Sequence, residues 1–111
     1  MSFADTGAYT LAPGATARAL FGERAMLNLV EMKAGSVVER HSHPHEQLGI
    51  ILRGAMTMTI GTDERELGEL DGFLVAPGTE HGGTAGPAGV LLLDVFAPVR
   101  EDYRTAAESS A

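Results

Sequence analysis

Three histidines, a glutamate and a glutamine fall within the seven residues His41-Ser42-His43-Pro44-His45-Glu46-Gln47. Each of those five side chains could offer a lone pair to a metal ion, more than one short strand can aim at a single point. His41 and His43 are two residues apart, so on an extended strand they project to one face, as a chelating pair must. His45 would share that face by alternation, but Pro44 removes a backbone donor and marks a strand edge or bend. The fourth histidine, His81, lies far along the chain. With no cysteine in the sequence, thiolate ligands are excluded, leaving imidazole, carboxylate and amide oxygen. A lone His-x-His pair also fits a solvated turn that collects adventitious metal.

A second chemically useful group sits in Val90–Phe96, VLLLDVF, where an aspartate interrupts an apolar run. An unpaired carboxylate there is costly. Leu92, Asp94 and Phe96 share one strand face, and Arg100 follows in Ala97–Tyr103. If that face lines an interior, a carboxylate, an aromatic ring and a metal meet in one cavity with Arg100 carried around its rim. The competing reading is an Asp94–Arg100 ion pair that ties down the C-terminal segment, with Phe96 as core packing. Met26, Met56 and Met58 read as core fillers, and Arg40 and Arg53 as surface residues.

The elements that must position these groups are short strands. Gly, Pro and charged pairs punctuate the chain every several residues, and between them the apolar pattern has period two. Ala25–Met32 sets Met26, Asn28 and Val30 on one face, before a turn at Lys33-Ala34-Gly35-Ser36. Leu48–Arg53 and Ala55–Ile60 are predicted as a pair joined by a hairpin at Arg53-Gly54. A turn at Gly61-Thr62-Asp63-Glu64 leads into Arg65–Leu67, and Phe73–Val75, Val90–Phe96 and the weaker Ala17–Phe21 complete the set. The Gly-rich GTEHGGTAGPAG separates the last two strong strands. Helix signals are nearly absent, save a possible short turn in the polar C-terminal EDYRTAAESSA. Many short antiparallel strands without helical cover favour a closed barrel or jelly roll, which removes exposed edges.

At 111 residues the chain fits one domain over 1–111, with a core over about 17–100 and peripheral ends. A formal charge of -7 argues against nucleic acid, which needs a basic face. The start MSFADTGAY lacks the basic and long apolar stretches of a signal peptide, and no run approaches a membrane span. A cytoplasmic protein is expected.

Spacing then ties the two histidine regions together. Gly35, five residues, His41-x-His43, three residues, Gln47, six residues and Gly54 form one pattern, and Leu70-Asp71, four residues, Ala76-Pro77-Gly78, two residues and His81 form another. These resemble the two motifs of the cupins, G-x5-HxH-x3/4-E-x6-G and GD-x4-P-x-G-x2-H. Gln47 stands in place of the usual glutamate, Leu70 replaces the glycine before Asp71, Ala76 replaces the first proline with Pro77 one position later, and Ala85 stands for a trailing asparagine. The resemblance implies an all-β cupin-type double-stranded β-helix and a divalent transition metal (Zn, Ni, Fe, Mn or Cu) held by His41, His43, Gln47 and His81. In that pattern His45 belongs to the rim and Glu46 points away. An uncharged Gln47 leaves the ion its full charge, which favours Lewis-acid work on an oxygen-rich or anionic ligand.

The ending LDVFAPVRED, with HSHPHEQLG, is similar to the pectin-degradation branch of the cupins, which convert 4,5-unsaturated uronates to linear keto sugars. Its D-x-F-x3-R pattern falls on Asp94, Phe96 and Arg100. The resemblance implies proton transfer by Asp94, packing of Phe96 on the sugar and pairing of Arg100 with the substrate carboxylate. The expected activity is therefore ketonisation of an unsaturated uronate or similar hydroxylated acid by a lyase or isomerase. A cupin dioxygenase or other oxidative enzyme is the second reading, and a non-catalytic small-metabolite binding module the third. The expected partners are an acidic sugar and a second copy of the chain in a homodimer.

Overall fold

The computed structural model describes residues 1–109. After a short 3-10 turn at Phe3–Asp5 come eight strands: β1 (Tyr9–Ala12), β2 (Ala15–Phe21), β3 (Met26–Met32), β4 (Val37–His41), β5 (Glu46–Ile60), β6 (Asp63–Leu67), β7 (Gly72–Val75) and β8 (His81–Ala97). One helix, α1 (Glu101–Ser109), ends the described chain. Period-two patterning does what it should in β3, where Met26, Asn28, Val30 and Met32 are buried and Leu27, Leu29 and Glu31 face outward. Among the described residues no helix is long and apolar enough to cross a membrane.

Two long strands build the barrel, because each belongs to two layers. Val90–Phe96 of β8 pairs with β3 on one side and with the first half of β5 on the other. His81–Ala85 of β8 pairs instead with β4 and the second half of β5. The first half of β5 also carries β7, and its second half carries β6. The result is a jelly roll: β1, β2, β3, β8, β5 and β7 in one layer, β4, β8, β5 and β6 in the other. Between the layers lies a core of modest side chains, including Ala15, Ala17, Ala19, Ile51, Met56, Met58, Val75 and Phe96. Met26, Met56 and Met58 fill this interior, as read from the sequence.

Four expectations are corrected. Arg53-Gly54 is no hairpin: β5 runs straight through it, with register shifts between Ile51 and Arg53 and between Gly54 and Met56. Gly54 does have the positive φ of a turn, 79°, yet spends it on a β-bulge packed against the Gly89 carbonyl. The bulge bends the strand from one layer to the other, which a turn signal alone cannot distinguish from a reversal. The Gly-rich GTEHGGTAGPAG is likewise no separator, since from His81 onward it is the first half of β8. Its glycines leave room for the close approach of neighbouring backbone, Gly82 lying against Val38 and Arg40. At the C-terminus the polar segment forms α1 rather than a single turn, with Ala106 and Ala107 packed against the core; Ser110 and Ala111 lie outside the described residues. Finally, Tyr9 of β1, ahead of the expected core, is buried within it.

The second histidine region is a pair of turns that brace the first. Leu70 carries a positive φ of 67°, a conformation that glycine adopts without strain and leucine does not. It is held there by backbone bonds, the Leu70 N–H donating to the Ile51 carbonyl, while the Asp71 carboxylate accepts the Gly68 N–H. Further on, the Gly78 N–H donates to the His43 carbonyl at 2.8 Å, tying the Pro77-Gly78 turn to the strand end that bears the histidines.

Candidate metal centre and adjoining cavity

His41 ends β4 and His81 begins β8, and the two are register partners. His43 lies in the connection to β5, and its ring packs against both, with centroids 5.6 Å from His41 and 4.8 Å from His81. One ligand atom from each of the three lies within 4.8 Å of the others.

Each imidazole is oriented by the backbone. Nδ1 of His41 donates to the Glu39 carbonyl at 2.8 Å, that of His81 to the Thr79 carbonyl at 2.9 Å, and that of His43 to the His45 carbonyl at 3.1 Å. With Nδ1 protonated, each neutral ring presents a bare Nε2 lone pair. The Nε2 atoms of His43 and His81 then face one another at 3.2 Å, an arrangement that repels unless a cation lies between the lone pairs. This orphaned pair fits a metal ion. Burial, then the charge of Arg100, pushes the pKa of His43 down to about 4, and burial lowers that of His81. Both rings are therefore neutral at pH 7, as coordination requires.

Gln47, buried at the start of β5, places Oε1 3.1 Å from His43 Nε2. Its amide nitrogen donates to Asp94 Oδ1 at 3.2 Å, so one side chain bridges the histidine cluster and the buried carboxylate. Burial raises the Asp94 pKa to about 7, outweighing the Gln47 hydrogen bond and the Arg100 charge. Room for that carboxylate comes from Gly49, its register partner on β5. A Cβ at Gly49 would stand 2.8 Å from Asp94 Oδ1 and 2.1 Å from the Phe73 ring.

His41, Gln47, His81, Asp94, Phe96 and Arg100 line one cavity that opens to solvent. Phe96 is both core and wall, 2% exposed and edge-on to His43. Arg100 departs from expectation: it is buried rather than on the rim, and its ion pair is with Asp102 at 2.8 Å, not with Asp94. A further lining residue, Tyr103, escaped the sequence reading. Tyr103 accepts a hydrogen bond from Arg100 Nη1 at 2.9 Å, and its ring lies 3.8 Å from the guanidinium carbon. The available signal was spacing, since a helical residue three positions past Arg100 returns to its side. His45 supplies its carbonyl, while its own Nδ1 is buried with no partner among the described residues. Glu46 is exposed.

A jelly roll with histidines converging from β4, β8 and the connection into β5 is the architecture of the cupins, and the cupin domain profile matches residues 28–96. The chain belongs to that family. Among curated relatives it is similar to the pectin degradation protein KdgF of Dickeya dadantii (strain 3937), 27% identical over 79 residues that cover 70% of this chain and 72% of the relative. Among solved structures it resembles KdgF from Halomonas sp., with a TM-score of 0.81 and 28% identity over 86% of this chain and 89% of the other. It also resembles an RmlC-like cupin from Shewanella frigidimarina NCIMB 400, with a TM-score of 0.86 and 26% identity over 93% of each chain.

Proposed function

We propose that this chain is a metal-dependent cupin enzyme that opens and ketonises a 4,5-unsaturated uronate or a closely similar hydroxylated acid. The observation that carries the proposal is the common cavity of Asp94, Phe96, Arg100, Gln47 and two of the three clustered histidines, His41 and His81. The likeness to proteins of pectin degradation supports the substrate class. The ligands in this reading are His41, His43, His81 and Gln47. A divalent ion bound there supplies Lewis acidity toward the oxygens of the sugar.

The rest of the work falls to the chain's own side chains. Arg100 seats the substrate carboxylate by charge-assisted hydrogen bonds, and Phe96 limits how the ring can lie. Asp94, with its pKa near 7, can take and return a proton close to neutral pH. Ring opening balances as an isomerisation: the C1 hydroxyl loses a proton, the bond from C1 to the ring oxygen breaks, and the resulting C5 enol becomes a ketone as C4 gains a proton. No oxidant is consumed. The test is the ultraviolet absorbance of the unsaturated acid, which falls on addition of metal-loaded protein without oxygen uptake. Fully metal-loaded protein that leaves every unsaturated monouronate unchanged overturns the proposal.

We infer further that two copies associate through the outer face of the larger layer. Leu20, Leu27, Val95, Leu48 and Leu74 follow one another across five strands by register. Leu74 and Leu48 at the end of that row are 54% and 46% exposed. A contiguous apolar stripe of this kind is uncommon on a free monomer and suits an isologous twofold contact.

A further inference from the structure

Arg100 is held from two sides, and the two holders differ in where they sit. Asp102 takes the fork of Nε and Nη2, at 3.3 and 2.8 Å, and is an exposed residue outside the cavity lining. Tyr103 takes Nη1 and lines the cavity itself. A guanidinium has five N–H donors, so with these three bonds made, one hydrogen remains on each of Nη1 and Nη2. The phenol oxygen of Tyr103 accepts from Arg100, which leaves its own hydrogen to give. Among the described residues that hydrogen has no acceptor, although the ring is fixed by Tyr9 at 5.7 Å, by Phe96 at 5.6 Å and by the guanidinium.

We propose that Tyr103 is a substrate-binding residue, its hydroxyl and the remaining Nη hydrogens of Arg100 forming one seat for a carboxylate. This rests on the reading that Arg100 faces an acid substrate. An acceptor-only group of two oxygens satisfies the hydroxyl and the guanidinium together; a neutral hydroxyl in its place leaves the cation unmatched. Asp102, outside, keeps the guanidinium turned so that its Nη edge stays free. Burial, partly offset by Arg100, holds the phenol pKa up at about 12, so the donor keeps its proton at neutral pH. In this arrangement the C-terminal helix supplies part of the binding site rather than a mere plug for the barrel.

Tyr103→Phe tests the proposal, because it removes the hydroxyl and retains the ring against Tyr9, Phe96 and Arg100. Titration calorimetry on metal-loaded protein uses D-galacturonate, a saturated uronate that cannot be ketonised, and D-galactose, its counterpart without the carboxylate. The variant should bind galacturonate about tenfold more weakly, the loss of one hydrogen bond to a charged group, with galactose binding unchanged. In turnover, KM for unsaturated uronate should rise by a similar factor, with kcat changed less. Equal losses for both sugars, or no loss for either, overturn the assignment, as does wild-type protein that fails to prefer galacturonate. If wild type binds galacturonate in this way yet turns over no unsaturated uronate, the enzymatic reading fails while the carboxylate seat stands.

Discussion

Asp94 is the residue whose surroundings most constrain its chemistry. Its pKa is raised from an ordinary 3.8 to about 7 by burial. A folded-state pKa above the unfolded one contributes stability that is complete below about pH 4 and lost as pH rises through 7. His43, with its lowered pKa, acts in the opposite direction, so the Asp94 contribution is isolated by difference. In metal-free protein, the stability of Asp94→Asn relative to wild type should grow from about pH 4 to about pH 7 and then level off, as read by urea unfolding across that range. A flat difference would mean that Asp94 is not penalised by burial. Gly49→Ala tests the same pocket sterically. The added methyl meets Asp94 Oδ1 and the Phe73 ring, so activity should fall by more than about tenfold while the protein still folds, the clash falling on side chains that can shift.

At the scale of elements, two positive-φ positions behave oppositely. Gly54 makes the bulge that bends β5, and a Cβ there would lie 2.2 Å from the Gly89 carbonyl oxygen in a left-handed backbone. Gly54→Ala should therefore destabilise by at least about 2 kcal/mol, measured by thermal unfolding. Leu70 already bears a side chain at φ 67° and is 74% exposed, so it gains no packing in return for its strain. Leu70→Gly should stabilise by up to about 1 kcal/mol, the left-handed strain outweighing the greater entropy loss of glycine. These elements were legible to different degrees. The alternation of Met26 to Met32 carries its own burial pattern, because period two depends on neighbours two residues apart. The bulge at Gly54 was misread because a hairpin and a bulge use the same local conformation, and only the continuing partner strand β8 tells them apart.

For the molecule as a whole, metal and fold should be linked. The lone pairs of His43 and His81 oppose each other across 3.2 Å, and they come from opposite ends of the motif pair. Metal at a hundredfold excess over its Kd should add about 2.7 kcal/mol, raising Tm on the order of 10 °C over chelator-treated protein. His81→Ala should abolish that increment and the bound metal together, as read by elemental analysis and calorimetry. The proposed pairing of two copies makes its own prediction: light scattering should give a dimer mass for wild type and a monomer mass for Leu74→Glu, which buries a carboxylate in the apolar stripe.

The sequence by itself determined the all-β architecture and the family, because strand alternation and the spacing of His41, His43, Gln47 and His81 are local quantities read along the chain. It also singled out Asp94, Phe96 and Arg100. What tertiary structure alone decided is how these groups face one another. Gln47 was visible as an uncharged ligand candidate, but its bond to Asp94 depends on β5 and β8 lying side by side. Arg100 was expected on the cavity rim facing a substrate carboxylate, or else paired with Asp94; it is buried and meets Asp102 and Tyr103, since the chain turns into α1 immediately after it. Long-range pairing sets the Gln47–Asp94 contact, 47 residues apart in the chain, whereas the contacts of Arg100 follow from the local entry into α1.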